Sequence, residues 1–285
     1  MKWLQIALVR LGLRRSGEDA RKTVSFGDPA AARGGYFWSF VSVAAVFALW
    51  YVATALQWTT PIFLPPPSDV WEQFHATATE GFRGYTLAQH IGVSVYRLLV
   101  GFALGCLIGI PIGFSMGLSR VLRGFFDPIV EFMRPIPPLA LIPLMIIWAG
   151  IDDKPKIILL FLAALWIMVL AARSGVQSIR LSKIHAAYTL GASRTQVLFR
   201  VILPNSLPEI FTGMRVAMGV CWGTLVAAEL VAADVGIGFM IVVGGKFLET
   251  GLVLVGVIVI GVIGAAIDVG MRKLEARLVP WKGMG

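Results

Sequence analysis

Between Phe37 and Val269 the chain is a succession of long apolar stretches separated by short polar ones, and few folds tolerate that pattern. Phe37 to Leu56, Val93 to Leu118, Ile210 to about Val231, and Leu252 to Val269 come close to or exceed the roughly 20 residues that cross a hydrocarbon core. Leu139 to Ile151 and Ile157 to Ala172 are shorter and equally apolar. Backbone groups in lipid find no water, so each segment closes its own hydrogen bonds as a helix. Composition supports this: 57% of residues are apolar and only 14% charged, against about 25% charged in soluble domains. Mean hydropathy is +0.80. The expected fold is all-α and polytopic, with six transmembrane helices.

The net charge of +9 does not suggest nucleic acid, because the basic residues neither cluster on one helix nor alternate with aromatics. They fall between the apolar runs, as topology signals do. One set of loops carries only Arg83, Lys154, Lys156 and Lys246. The opposite set holds most of the Lys and Arg, which places both termini in the cytoplasm. The expected organisation is a basic cytoplasmic arm over residues 1–36, able to lie on anionic lipid. A membrane domain follows over 37–271, including a cytoplasmic loop at 174–208, then a tail over 272–285.

That loop contains IHAAYTLGASRTQVLFRVILP, residues 184–204, a basic island with strong local signals. Ala186, Ala187 and Leu190 favour a helix, and Gly191 suits the left-handed position that ends one. Ala192 leads into Ser193, which with Gln196 forms an S-x-x-Q capping box opening a second helix. Leu203-Pro204 is expected to stop it. A further capping box, Ser206 to Glu209, is expected to open the fifth span.

Gly101, Gly105, Gly109, Gly113 and Gly117 form a ridge along the second span, suited to close helix packing within or between subunits. Arg134, Pro135, Pro137, Pro138 and Pro143 interrupt the third apolar region. The expectation there is a short helix over Ile129–Arg134, a Pro-rich break, and a span over Leu139–Ile151. Irregular backbone at membrane depth must be buried in protein or line a cavity. The break, with Trp148, Trp222 and Glu229, is therefore the candidate translocation path. Glu131 and Arg134 are expected to pair locally. Arg215 is expected to snorkel to the interface, Glu229 to be protonated or interfacial, and Gly236-Ile237-Gly238 to be a tight turn.

No P-loop, nucleophile triad, paired-carboxylate site or metal-ligand spacing is present in the sequence. Cys106 and Cys221 lie in apolar runs and imply no disulfide. The spans also lack the chain of ionisable residues that a proton-driven carrier uses. A self-sufficient channel or ion-driven carrier is accordingly the weaker reading. No enzyme, metal or resident cofactor is expected, and energy has to enter from a partner.

The Ala186-Ala187, Gly191 and Leu203-Pro204 spacing resembles the Glu-Ala-Ala loop of bacterial ABC-importer permeases, with His185 where that family usually has an acidic residue. PIFLPPPSDV, GIPIGFSMGLS, DPIVEFMRPIPPLALIPLMIIWAGI, TLVAAELVAADVGIGFM and LVPWKG are similar to the permeases that import taurine, other alkanesulfonates and nitrate. PLALIPLMIIWAGI and WGTLVAAELVAA most resemble the taurine branch. The resemblance implies a type I importer fold in the bacterial inner membrane. It also implies a second copy of this chain, two ATPase subunits that bind ATP and Mg, and a periplasmic binding protein. Within the loop, His185, Ala186, Ala187, Leu190, Gly191, Ala192, Ser193, Leu203 and Pro204 would contact the ATPase. The implied cargo is taurine or a related alkanesulfonate, with nitrate or another small organic anion as the alternative.

Overall fold

A computed structural model describes residues 35–282. The basic arm expected over 1–36 therefore lies almost wholly outside the described residues, as do the last three residues of the tail.

The chain divides into two units, residues 1–68 and 69–285. In the first, the apolar run folds as α1 (Gly35–Ala55). Trp50 near its end donates its indole N–H to the Pro65 carbonyl at 3.0 Å, tying the extended proline segment back to the helix. The next helix, α2 (Pro67–Thr79), carries Asp69 in its first turn, where the helix dipole favours an acid.

The second unit is built on α3 (Leu87–Leu118), α6 (Asp153–Gln177) and α9 (Leu203–Ala232). A Thr86–Gln89 capping box opens α3. Among the described residues, the glycine ridge meets α6 of the same chain. A β-carbon on Gly109 would lie 2.9 Å from the Leu165 carbonyl oxygen, and one on Gly117 would lie 2.6 Å from the Val176 β-carbon. Gly101, Gly105 and Gly113 approach Leu160, Ala164 and Val169 equally closely. Only a helix face without side chains permits this approach, and dispersion contacts then replace the hydrophobic drive missing in lipid. Behind the ridge, Leu98, Leu160, Met168, Ala217, Cys221 and Leu225 form the buried centre of the three helices.

The third apolar region departs from expectation. The short helix expected over Ile129–Arg134 is the end of a longer one, α4 (Arg120–Met133), capped by Ser119. A 3₁₀ turn over Pro138–Leu141 leads into α5 (Ile142–Ala149). The two arms are bent by 81° at the prolines. The eight residues of α5 rise only about 12 Å, so Leu139–Ile151 is not a straight span. Pro138 and Pro143 stand in first turns, where a missing N–H is harmless. The expected Glu131–Arg134 pair is absent among the described residues. Asp127 of α4 pairs with Arg173 of α6 instead.

The island forms α7 (Leu181–Thr189) and α8 (Arg194–Val197). Pro204 does not stop the second helix. A π-helical turn over Leu198–Ile202 joins α8 directly to α9, giving an unbroken helical stretch from Arg194 to Val231. Proline cannot donate to the carbonyl one turn back and its ring crowds that carbonyl. The wider turn absorbs the conflict, with the Leu203 N–H reaching back to Leu198. The second capping box is likewise absent: Ser206 lies inside α9 and its hydroxyl donates to the Leu203 carbonyl.

After α9 come α10 (Ile237–Lys246) and α11 (Thr250–Leu278). Among the described residues five helices are long and apolar enough to cross a membrane, or six if the bent α4–α5 pair counts as one span. No strand occurs among the described residues.

Candidate functional site

α9 connects two features of opposite character, an exposed knuckle at its start and a buried charge cluster at its end. At the knuckle, α7 closes with the Leu190 N–H on the Ala186 carbonyl and the Gly191 N–H on the Tyr188 carbonyl. Gly191 has φ +79°, a conformation glycine adopts without a β-carbon penalty. Ser193 and Gln196 then form the reciprocal capping box expected of them. Lys183 donates to the Asn205 side chain at 2.9 Å, holding α7 against the start of α9.

What this rigid turn displays is apolar. Leu190 is 88% exposed, and Leu181, Tyr188 and Phe199 are also exposed. His185 and Ala186 are also exposed, and Ala187 and Ala192 half so. The His185 ring has no partner among the described residues.

The far end of α9 reverses this character. Glu229 is 1% exposed, and its carboxylate accepts from Arg97 Nη1 of α3 at 2.7 Å. It also accepts from the Ser94 hydroxyl at 2.8 and 2.9 Å and from the Gly238 N–H at 3.0 Å. Arg97 spends its remaining donors on Asp153 of α6, at 2.8 Å from Nε, and on the Val235 carbonyl at 2.7 Å.

Three successive N–H groups that open α10 meet side chains from other helices. Gly236 donates to His90 Nδ1 at 3.1 Å, Ile237 to Ser94 Oγ at 3.0 Å, and Gly238 to Glu229. A helix start carries positive partial charge, so the Glu229 carboxylate is held by a guanidinium and a helix dipole together. Added β-carbons at Gly236 and Gly238 would lie 2.5 and 2.7 Å from Glu229 atoms, which explains the glycines. His90 is fully buried. With Nδ1 accepting from Gly236 and Nε2 lying 3.1 Å from the Phe82 carbonyl, its ring is the neutral Nε2–H tautomer.

One expectation falls here: Gly236-Ile237-Gly238 is the start of a helix and not a free-standing turn. Further down α9, Arg215 pairs across to Asp268 and Glu275 of α11, each at 3.5 Å. Arg134, Pro135, Pro137, Pro143 and Trp148 are exposed and Pro138 half-buried. Trp222 packs against the buried centre of the bundle, and Glu229 belongs to the Arg97 cluster.

Arg97, Ser94, His90 and Asp153 had no role in the sequence reading. A signal was available, since His90, Ser94 and Arg97 follow helical spacing and continue the glycine ridge onto the buried face of α3.

The family model described as "Binding-protein-dependent transport system inner membrane component" matches residues 107–280. The "Taurine transport system permease protein TauC" of Escherichia coli (strain K12) is 47% identical over 246 residues, which is 86% of this chain and 90% of that protein. The "Putative aliphatic sulfonates transport permease protein SsuC" of Bacillus subtilis (strain 168) is 32% identical over 89% of this chain and 91% of that protein. In fold, the chain is similar to the inward-facing MetNI methionine ABC transporter, with a TM-score of 0.59 at 18% identity. That match covers 67% of this chain and 95% of the other.

Proposed function

The chain belongs to the family of binding-protein-dependent transport system inner membrane components, and we propose that its cargo is taurine. It is a multi-pass inner-membrane permease subunit of an ABC importer, working in a complex with an ATPase and a binding protein. The observation that carries the cargo assignment is the 47% identity to a taurine permease, sustained over 86% of the chain. Related alkanesulfonates are the nearest alternative.

In this reading two copies of the chain pair, both termini lie in the cytoplasm, and the 174–208 loop faces two ATPase subunits. ATP and Mg are bound by those partners and not by this chain. The knuckle suits the role of contact. It is rigid through its caps, exposed, and apolar at Leu190 and Tyr188, and such a patch on a stable turn marks a protein interface.

Its continuity with α9 suits the role of lever. Leu203 and Glu229 are about 39 Å apart along one helix, and Glu229 is locked to α3 and α10. A push on the knuckle therefore reaches the far end of the bundle without an intervening hinge loop. His185, in place of the family's usual acid, removes a charge from the contact and leaves its shape.

The test is uptake into liposomes carrying this chain with its ATPase, supplied with the binding protein. ATP-dependent accumulation of taurine, competed weakly by nitrate, is the expected result. Accumulation that persists without the ATPase sinks the coupled mechanism, and accumulation of nitrate alone sinks the taurine assignment.

A further inference from the structure

A small cavity lies between α9 and α11, part-way along α9. Its lining includes Arg215, Met218 and Trp222 from α9, and Ile267, Asp268 and Met271 from α11. It measures about 80 Å³, several times the roughly 10–15 Å³ that one water needs. The room is for an occupant of a few heavy atoms.

Its walls are mostly apolar, and three polar groups border it. Arg215 Nε is buried without a hydrogen-bond partner, which is uncommon enough in folded proteins to need a reason. The other guanidinium nitrogens hold Asp268 and Glu275 only at 3.5 Å, long for charge-assisted bonds, which prefer about 2.7–2.9 Å. Asp268 is shared in the same loose way with Arg272 at 3.3 Å. The Trp222 indole N–H has no partner among the described residues. It stands where a β-carbon on Gly264 would come within 2.9 Å, so Gly264 makes room for it.

A guanidinium with an unused N–H and an indole N–H are donors for an oxyanion. A carboxylate a short distance along the same wall is the acceptor for a cation. We propose that this cavity is a transient binding site for a small zwitterion, an oxyanion joined to an ammonium through a short apolar spacer. Arg215 and Trp222 take the oxyanion and Asp268 takes the ammonium. The inference rests on the taurine reading above and deepens it, because a sulfonate two carbons from an ammonium has this chemistry. The ring face and the methionines cover the spacer.

The experiment measures binding of labelled taurine to the permease–ATPase complex in phosphatidylcholine nanodiscs, with no binding protein present. Ethanesulfonate, which lacks the amine, is run alongside. Weak binding is expected in the wild type. Arg215→Lys and Trp222→Phe should each reduce it about tenfold or more for both ligands. Asp268→Asn should reduce taurine binding while sparing ethanesulfonate. Trp222→Phe removes the indole N–H and one ring of the bicycle but changes no charge, so it reports on the site even if the charge variants fold poorly.

If taurine binds unchanged to Arg215→Lys and Trp222→Phe, or Asp268→Asn affects both ligands alike, the inference fails. If phosphatidylethanolamine in the bilayer displaces the bound taurine, the cavity is a lipid-headgroup site and the inference also fails. ATP-dependent taurine uptake by the wild-type complex with its binding protein separates the two readings. Uptake with an unresponsive cavity overturns this inference alone, and no uptake overturns the taurine assignment and this inference with it.

Discussion

The Trp281 indole N–H donates to the Pro204 carbonyl at 3.3 Å, across 77 residues of chain. In an α-helix that carbonyl would accept from the residue four positions on, which is Pro208 and has no N–H. The tail thus supplies the donor that the second proline withholds, and Lys282 adds a 2.9 Å bond to Thr212 beside it. The lever is braced at the point where it leaves the knuckle.

Replacing Trp281 with Phe should lower stability by about 1 kcal/mol, the usual net worth of one hydrogen bond. Pro208→Ala restores a backbone donor to Pro204, so the effect of Trp281→Phe should shrink in that background. Thermal unfolding of the four proteins in detergent gives the coupling, and an additive cycle rules the brace out.

Arg97→Leu should be far more damaging. It strands the Glu229 carboxylate at 1% exposure, and removing one partner of a buried pair costs about 3–5 kcal/mol. The double variant Arg97→Leu, Glu229→Leu leaves no uncompensated charge and should recover part of the loss. A melting temperature for Arg97→Leu within a degree of wild type would contradict the cluster.

Gly113→Ala should destabilise by about 1–3 kcal/mol, the range for forcing atoms into a packed interior, because the added methyl meets the Val169 carbonyl. Gly124→Ala on α4 is the control. Nothing lies within 4 Å of a β-carbon there, and alanine favours helix. Equal melting temperatures for the two variants would show that the ridge tolerates separation.

Ala186→Arg and Leu190→Ser alter only exposed positions of the knuckle. Both should leave the melting temperature within about 1 °C, since surface changes stay within about 0.5 kcal/mol. Both should reduce co-purification of the ATPase and abolish coupled uptake. Retained uptake in both would place the contact elsewhere.

The His90 tautomer is open to direct measurement. Nitrogen-15 spectra of labelled protein should show Nε2 protonated and Nδ1 bare. A protonated Nδ1 would be incompatible with the Gly236 bond.

Features that depend on neighbours within about four residues are legible along the chain. The apolar runs specified helices because lipid offers the backbone no other donor. Gly191 and the Ser193–Gln196 box specified the knuckle because capping is local, and the glycine spacing specified a close-packing face.

The remaining features come from contacts between distant segments. Which helix the glycines meet, and that it is α6 of the same chain, depends on how the bundle closes. Pro204 signals a stop in one dimension, yet a π-helical turn and an indole from the tail let the helix continue. Glu229 reads as an isolated carboxyl until Arg97, 132 positions away, and the start of α10 are brought to it. A charge in an apolar medium depends on partners that only the folded bundle supplies.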